Sequence, residues 1–179
     1  DVINWYDKHM LYEQNTSPVK NLCTALKAGA LFRTGQNKEA AYLFSKVFAA
    51  SEDKRISNFL GFTWSVKRDE ARADYLSLCK NDAEKANMLS LFAMNSLNSE
   101  VGTLKEIYKL NPANDALEVL AVREINKLEE KYLTPLLSQQ KGGKALYFSW
   151  GDKVNDSTVA ENILMAKILM TFLHDAATK

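Results

Sequence analysis

Histidine is nearly missing from this sequence. There are two, His9 and His174, at opposite ends of the chain. A Ser/His/Asp or Cys/His arrangement therefore has no local support and would need distant segments to meet in space. Cysteine is as sparse: Cys23 and Cys79 form no CxxC pair and no Cys/His cluster that could ligate a metal. Both read as small apolar residues on helix faces, and their spacing alone does not decide whether they are bonded. Glycine motifs of the GxGxxG or GxxxxGK(S/T) kind are absent, which leaves no phosphate cradle. Three prolines and seven glycines are too few for a turn-rich β fold and favour helices. No charge of either sign dominates: 23 basic residues stand against 22 acidic ones, for a formal net charge of +1. This gives no electrostatic reason to expect nucleic acid or an anionic membrane as partner. No uncharged apolar run approaches the roughly 18 residues of a membrane span. The paired carboxylates Asp69-Glu70 and Glu129-Glu130 are sequence neighbours, and neighbours on a helix do not share a face, so they read as solvated charge. The expectation is no catalytic set, no cofactor and no metal. The chain starts at Asp1 without Met or an apolar leader, as a piece of a longer protein would.

What is present is helical periodicity, with 46% hydrophobic residues, ample for a core. Val2, Trp5, Tyr6 and Met10 predict a first helix, with His9 packed among them. Asn15-Thr16-Ser17-Pro18 reads as a helix start, and Val19, Leu22, Cys23, Leu26, Ala30 and Leu31 as the face of a helix closed by Gly35. Ala40, Leu43, Phe44, Val47 and Phe48 predict the next helix, folded back on the previous one. Ile56, Phe59, Leu60 and Trp64 are expected to line the inner face of a third, with Gly61 allowing a neighbour to approach. A turn at Lys67–Glu70 leads to a helix faced by Ala71, Tyr75, Leu78 and Cys79. Beyond it lie helices carrying Ala86, Leu89, Phe92, Ala93 and Leu97, then Val101, Leu104, Ile107 and Tyr108. Leu117, Leu120, Ala121, Ile125, Leu128 and Tyr132 form a long stripe with charged residues, Glu124 included, mostly opposite. The pattern lapses from Thr134 to Asp156. A last helix, from Thr158 to about residue 176, is apolar nearly all round, so it is either central or short of a neighbour.

The stretch Ala28 to Phe44 resembles a tetratricopeptide repeat through Ala28, Ala30-Leu31-Phe32, Gly35 at the turn, Ala40 and Phe44. Leu31 to Trp64 and Ala40 to Ala73 each span 33 positions (64 − 31 and 73 − 40), close to the family's repeat of about 34. Tyr108-Lys109-Leu110-Asn111-Pro112 resembles the end of such a repeat. The resemblance implies an all-α fold of antiparallel helix pairs stacked as a short right-handed solenoid. Its degenerate units would cover about 20–51, 53–80 and 82–112 of a single domain, followed by a long helix (113–132), an irregular segment (134–156) and the terminal helix. It is similar to pieces of helical-repeat proteins of the bacterial cell envelope.

The resemblance also implies a non-enzymatic scaffold whose partner is another protein or peptide, or further repeats of the same chain. The family lines its concave face with the first helix of each pair. That makes Leu22, Ala25, Gly29, Phe32 and Arg33, then Asn58, Phe62 and Ser65, the candidate groove residues. One subclass grips a terminal carboxylate there with Lys and Asn. Ala25 and Gly29 stand near those positions here, so no such clamp is expected. Outside the repeats, Tyr147, Phe148 and Trp150 are either rings folded back on the core or a contact patch for a protein or a sugar. The second possibility makes the chain a helical segment of a carbohydrate-binding protein or larger enzyme.

Overall fold

The computed structural model describes residues 1–10, 17–133 and 156–178, and among these it is all-helical, without a strand. α1 (Val2–His9), α2 (Pro18–Arg33) and α3 (Asn37–Ala50) come first. A 3-10 turn at Glu52–Lys54 opens α4 (Arg55–Ser65). The short α5 (Arg72–Leu76) precedes α6 (Asp82–Asn95), α7 (Val101–Leu110) and α8 (Ala116–Leu128). A π-helical turn follows at Glu129–Leu133, and α9 spans Asp156–Ala177.

The α2–α3 hairpin forms where the chain chemistry demands it. Ser17 is extended and its hydroxyl accepts the Lys20 N–H at 3.1 Å, with Pro18 at the first helical position. At the other end Gly35 takes φ +82, and the Gln36 N–H reaches back to the Leu31 carbonyl at 2.9 Å. A left-handed glycine with this backward bond closes a helix and redirects the chain at once. α6 starts the same way, with the Asn81 side chain accepting the Glu84 N–H at 2.9 Å.

Two apolar clusters hold the helices. The first gathers Ala28 and Leu31 of α2, Ala40, Ala41 and Phe44 of α3, Phe62 of α4 and Tyr75 of α5 against Met88, Leu91 and Phe92 of α6. Phe92 meets Phe62 and Tyr75 edge-on, with ring centroids 5.0 and 5.7 Å apart, a favoured arrangement for ring quadrupoles. The second joins Ala86, Leu89 and Ala93 of α6 to α7, α8 and Leu169 of α9. α6 thus contributes to both clusters and is the central helix. α9 lies at the edge of the second, where Leu169 is buried while Leu164 and Met170 are exposed.

Several expectations about helix faces are corrected; Leu97, for one, lies beyond the end of α6 and is 82% exposed. In α1 only Tyr6 is buried. Trp5 and His9 are exposed and their rings sit 5.3 Å apart. In α2 the buried line is Thr24, Ala28 and Leu31, while Val19, Leu22 and Leu26 are exposed. The polar Thr24 is acceptable there because it bonds the Tyr6 hydroxyl at 2.9 Å and the Lys20 carbonyl at 2.8 Å. In α4 the inner line is Asn58, Gly61, Phe62 and Ser65, and Ile56, Leu60 and Trp64 face out. In this orientation Gly61 sits against the Phe44 ring, where a Cβ would clash. α5 ends at Leu76, so Leu78 and Cys79 belong to the connection to α6.

Candidate functional site

The rotation of α4 creates the most distinctive surface of the described protein. Asn58 is 1% exposed and gives its amide to the Lys54 carbonyl at 2.8 Å, and Ser65 bonds the Gly61 carbonyl at 2.7 Å. Each returns a bond to a carbonyl one turn back, which lets both face inward, although the Asn58 Oδ1 is buried without a partner among the described residues. The apolar residues at four-residue spacing then point outward, with Ile56 80% and Trp64 63% exposed and Leu60 between them. α2 touches α4, and both pack on α3. α2 likewise turns Val19, Leu22 and Leu26 outward.

The groove residues expected from the sequence are therefore divided. Asn58, Phe62 and Ser65 are core residues without free surface. Phe32 is half-buried and packs on the first cluster. Arg33 is exposed at the end of α2, and Leu22 is exposed further up the same helix. Ala25 and Gly29 are half-buried, and nothing lies within 4 Å of where a Cβ on Gly29 would stand. Tyr147, Phe148 and Trp150 lie outside the described residues. The Ile56, Leu60 and Trp64 face escaped the sequence reading because periodicity gives a stripe but not its direction.

A second feature that sequence reasoning missed is a buried polar hub. Glu124, expected on a solvated face, is 1% exposed. It accepts the Glu100 N–H at 2.9 Å, the Ser99 hydroxyl at 3.1 Å and the Lys127 ammonium at 2.5 Å. It thereby caps, from α8, the start of α7, where the Glu100 side chain makes no cap bond. Beside it, the Glu100 carboxylate is gripped by both terminal nitrogens of Arg72, at 2.9 and 2.5 Å, and by the Thr103 hydroxyl at 2.5 Å.

Burial pushes the Glu100 carboxyl up, but the bonds from Arg72 and Thr103 outweigh it and hold it down at about 2. It has no proton to give at neutral pH, and both its oxygens are engaged. Burial, then the Glu84 carboxylate, push the Cys79 thiol up to about 11, which removes thiolate character. Cys23 and Cys79 are both free. Among the described residues no three His, Cys, Asp or Glu side chains are grouped to hold a metal ion, and no helix is long and apolar enough to cross a membrane.

The depressed Glu100 carboxyl fixes the sign of an acid effect. Unfolded, the group titrates near its ordinary 4.5 and binds a proton that the folded state refuses until about 2. Its contribution is complete above that window and is lost as the pH falls through it. Urea midpoints measured from pH 7 to 2 should show wild type and Glu100→Gln converging as the pH drops from about 4.5 towards 2. A gap that stays constant would disprove the assignment.

No protein-family model, curated protein or solved structure matches the chain.

Proposed function

We propose that the chain is a non-enzymatic helical-repeat scaffold, similar to tetratricopeptide-repeat proteins with degenerate repeats. On this reading it binds an amphipathic helix of another protein across the outer faces of α2 and α4. The observation that carries the reading is the pair of outward apolar stripes, Val19, Leu22 and Leu26 on α2 and Ile56, Leu60 and Trp64 on α4. Isolated exposed apolar residues are ordinary, but lines of them at helical spacing on two touching helices suit the ridges of a third helix. In the resembled family the first helices of successive pairs line the concave face of a right-handed solenoid, and α2 and α4 would be those helices. The Gly35 turn and the inward Ala40 and Phe44 fit a repeat unit. The second unit departs from it, because α5 has only five residues. With a net charge of +1, long-range steering is weak and apolar anchors such as Trp64 carry the contact.

The test places a photo-crosslinking residue at Leu60 and, as control, at the exposed Arg68, in the native host. The expected result is one protein adduct from position 60, with crosslink sites in the partner spaced three and four residues apart, and its loss on Trp64→Glu. Equal adducts at both positions, or sites within an extended partner segment, would refute the reading.

A further inference from the structure

A cleft of about 350 Å³ opens between the end of α3, the start of α4, α6 and the α7–α8 connection. This volume is at the lower end of ordinary small-ligand sites. Arg55 lines it from the inward side of α4, three residues before Asn58, and so away from the Ile56, Leu60 and Trp64 stripe. One wall is apolar, made by Phe48, Met94 and Val119; the other is polar, made by Arg55, Asn87, Asn111 and Asp115.

The hydrogen-bond network orients the polar wall. Buried Asn114 gives its amide to the Asn87 carbonyl oxygen at 2.8 Å, and its own oxygen accepts the Ala116 N–H at 3.0 Å and the Ser90 hydroxyl at 3.3 Å. With its oxygen committed, Asn87 has its NH2 group left over. The Asn111 oxygen accepts the Ala113 N–H at 3.2 Å, leaving that NH2 over as well. Neither group bonds another described residue, and the Arg55 Nε is buried with no partner among them. The guanidinium is held in place over the Phe48 ring, 5.9 Å from its centroid, and by Asp115 at 2.8 Å from Nη2. The cleft therefore offers two spare NH2 groups, from Asn87 and Asn111, beside the partly exposed Arg55 guanidinium, whose Nε is itself too buried to be reached.

We infer that this cleft binds an organic monocarboxylate carried on a small apolar body, with Arg55 taking the carboxylate, Asn87 and Asn111 supplying further donors, and Phe48, Met94 and Val119 receiving the apolar part. Asp115 is the built-in competitor. Its side chain is 76% exposed, and exposed ion pairs contribute little, so an incoming carboxylate can displace it. A phosphate dianion fits less well, because the Arg55–Asp115 pair leaves the cleft with no surplus positive charge. The site is separate from the α2 groove that lacks clamp residues, and it needs no family resemblance.

The probe is N-acetyl-leucine, titrated into the 15N-labelled full chain while the side-chain amide signals of Asn87 and Asn111 are followed, with N-acetyl-leucinamide as the uncharged control. A short peptide ending in a free leucine carboxylate forms the third arm. Tighter binding of the peptide identifies a polypeptide terminus as the source, and tighter binding of the free acid identifies a metabolite. Binding of the acid in the millimolar range is expected, with the amide and Arg55→Gln each weaker about tenfold or more, the usual loss of a charge-assisted bond. Asp115→Asn removes the competitor and should tighten binding about threefold. Unmoved asparagine signals, equal binding of the amide, or weaker binding by Asp115→Asn would each overturn the inference. If Arg55→Gln fails to fold, the amide control and the Asp115→Asn arm decide it.

Discussion

Glu124→Ala should destabilise the protein by about 4 kcal/mol, the range seen when one partner of a buried ion pair is removed. Three donors lose their acceptor together: the Glu100 N–H, the Ser99 hydroxyl and the Lys127 ammonium. Lys127 keeps only the Asn98 carbonyl at 2.7 Å, and its side chain is largely buried. The substitution thus strands a charge and uncaps the start of α7. Against a total stability of about 5–15 kcal/mol for ordinary domains, this is a large share. Glu124→Gln separates the two losses. The amide oxygen still accepts from Glu100 and Ser99 but no longer neutralises Lys127, so a cost near 2 kcal/mol is expected. Urea unfolding gives both values. A Glu124→Ala variant within 1 kcal/mol of wild type would mean that the hub relaxes onto water at little cost.

That hub marks a limit of reading sequence as pattern. Helical periodicity sorts residues by polarity, and Glu124 lies among Arg123, Lys127, Glu129 and Glu130, so it was assigned to the solvated face. Its burial follows from a long-range event, the docking of α8 beside the uncapped start of α7. Local signals did better where the chemistry is local. Ser17-Pro18 and Gly35 each work through backbone groups within five positions, and each does in the structure what its type suggested.

The face that α4 buries differs from its apolar stripe for a related reason. Apolar periodicity puts Ile56, Leu60 and Trp64 inside, and the family resemblance implies Asn58, Phe62 and Ser65 as groove residues. Asn58 and Ser65 have side chains that can bond a carbonyl one turn back, which satisfies Ser65 and the amide of Asn58 but leaves the Asn58 Oδ1 buried without a partner among the described residues. The groove assignments at Asn58 and Phe62 fell with that rotation, while the exposed residues of α2, Leu22 and Arg33 among them, kept a free surface. The polar cleft had no linear signal at all, since α3, α4, α6 and the α7–α8 connection each supply part of it.

Gly61 is where α4 comes against the Phe44 ring, and replacing it tests how firmly α4 is held in its orientation. A Cβ at this position would stand 2.6 Å from two carbons of the Phe44 ring and 2.8 Å from a third, well inside van der Waals contact. Phe44 is itself buried between α2 and α4 in the first cluster and cannot swing into solvent. Two opposed effects must be compared. Losing a mid-helix glycine is favourable by about 0.5 kcal/mol for a β-branched replacement, whereas overpacking costs up to about 3 kcal/mol. The clash wins, and Gly61→Val should lower stability by about 2.5 kcal/mol and the melting temperature by about 5–10 °C. The cause is isolated by a double-mutant cycle. Phe44→Leu alone removes ring contacts and destabilises, but in the Gly61→Val background it also removes the obstruction. The pair should therefore be more stable than the sum of its parts by at least about 1 kcal/mol. Strict additivity, or a Gly61→Val variant as stable as wild type, would show that α4 can rotate or shift away from α3 at no cost. In that case the outward placement of Ile56, Leu60 and Trp64, and the proposed binding face that rests on it, would lose its structural support.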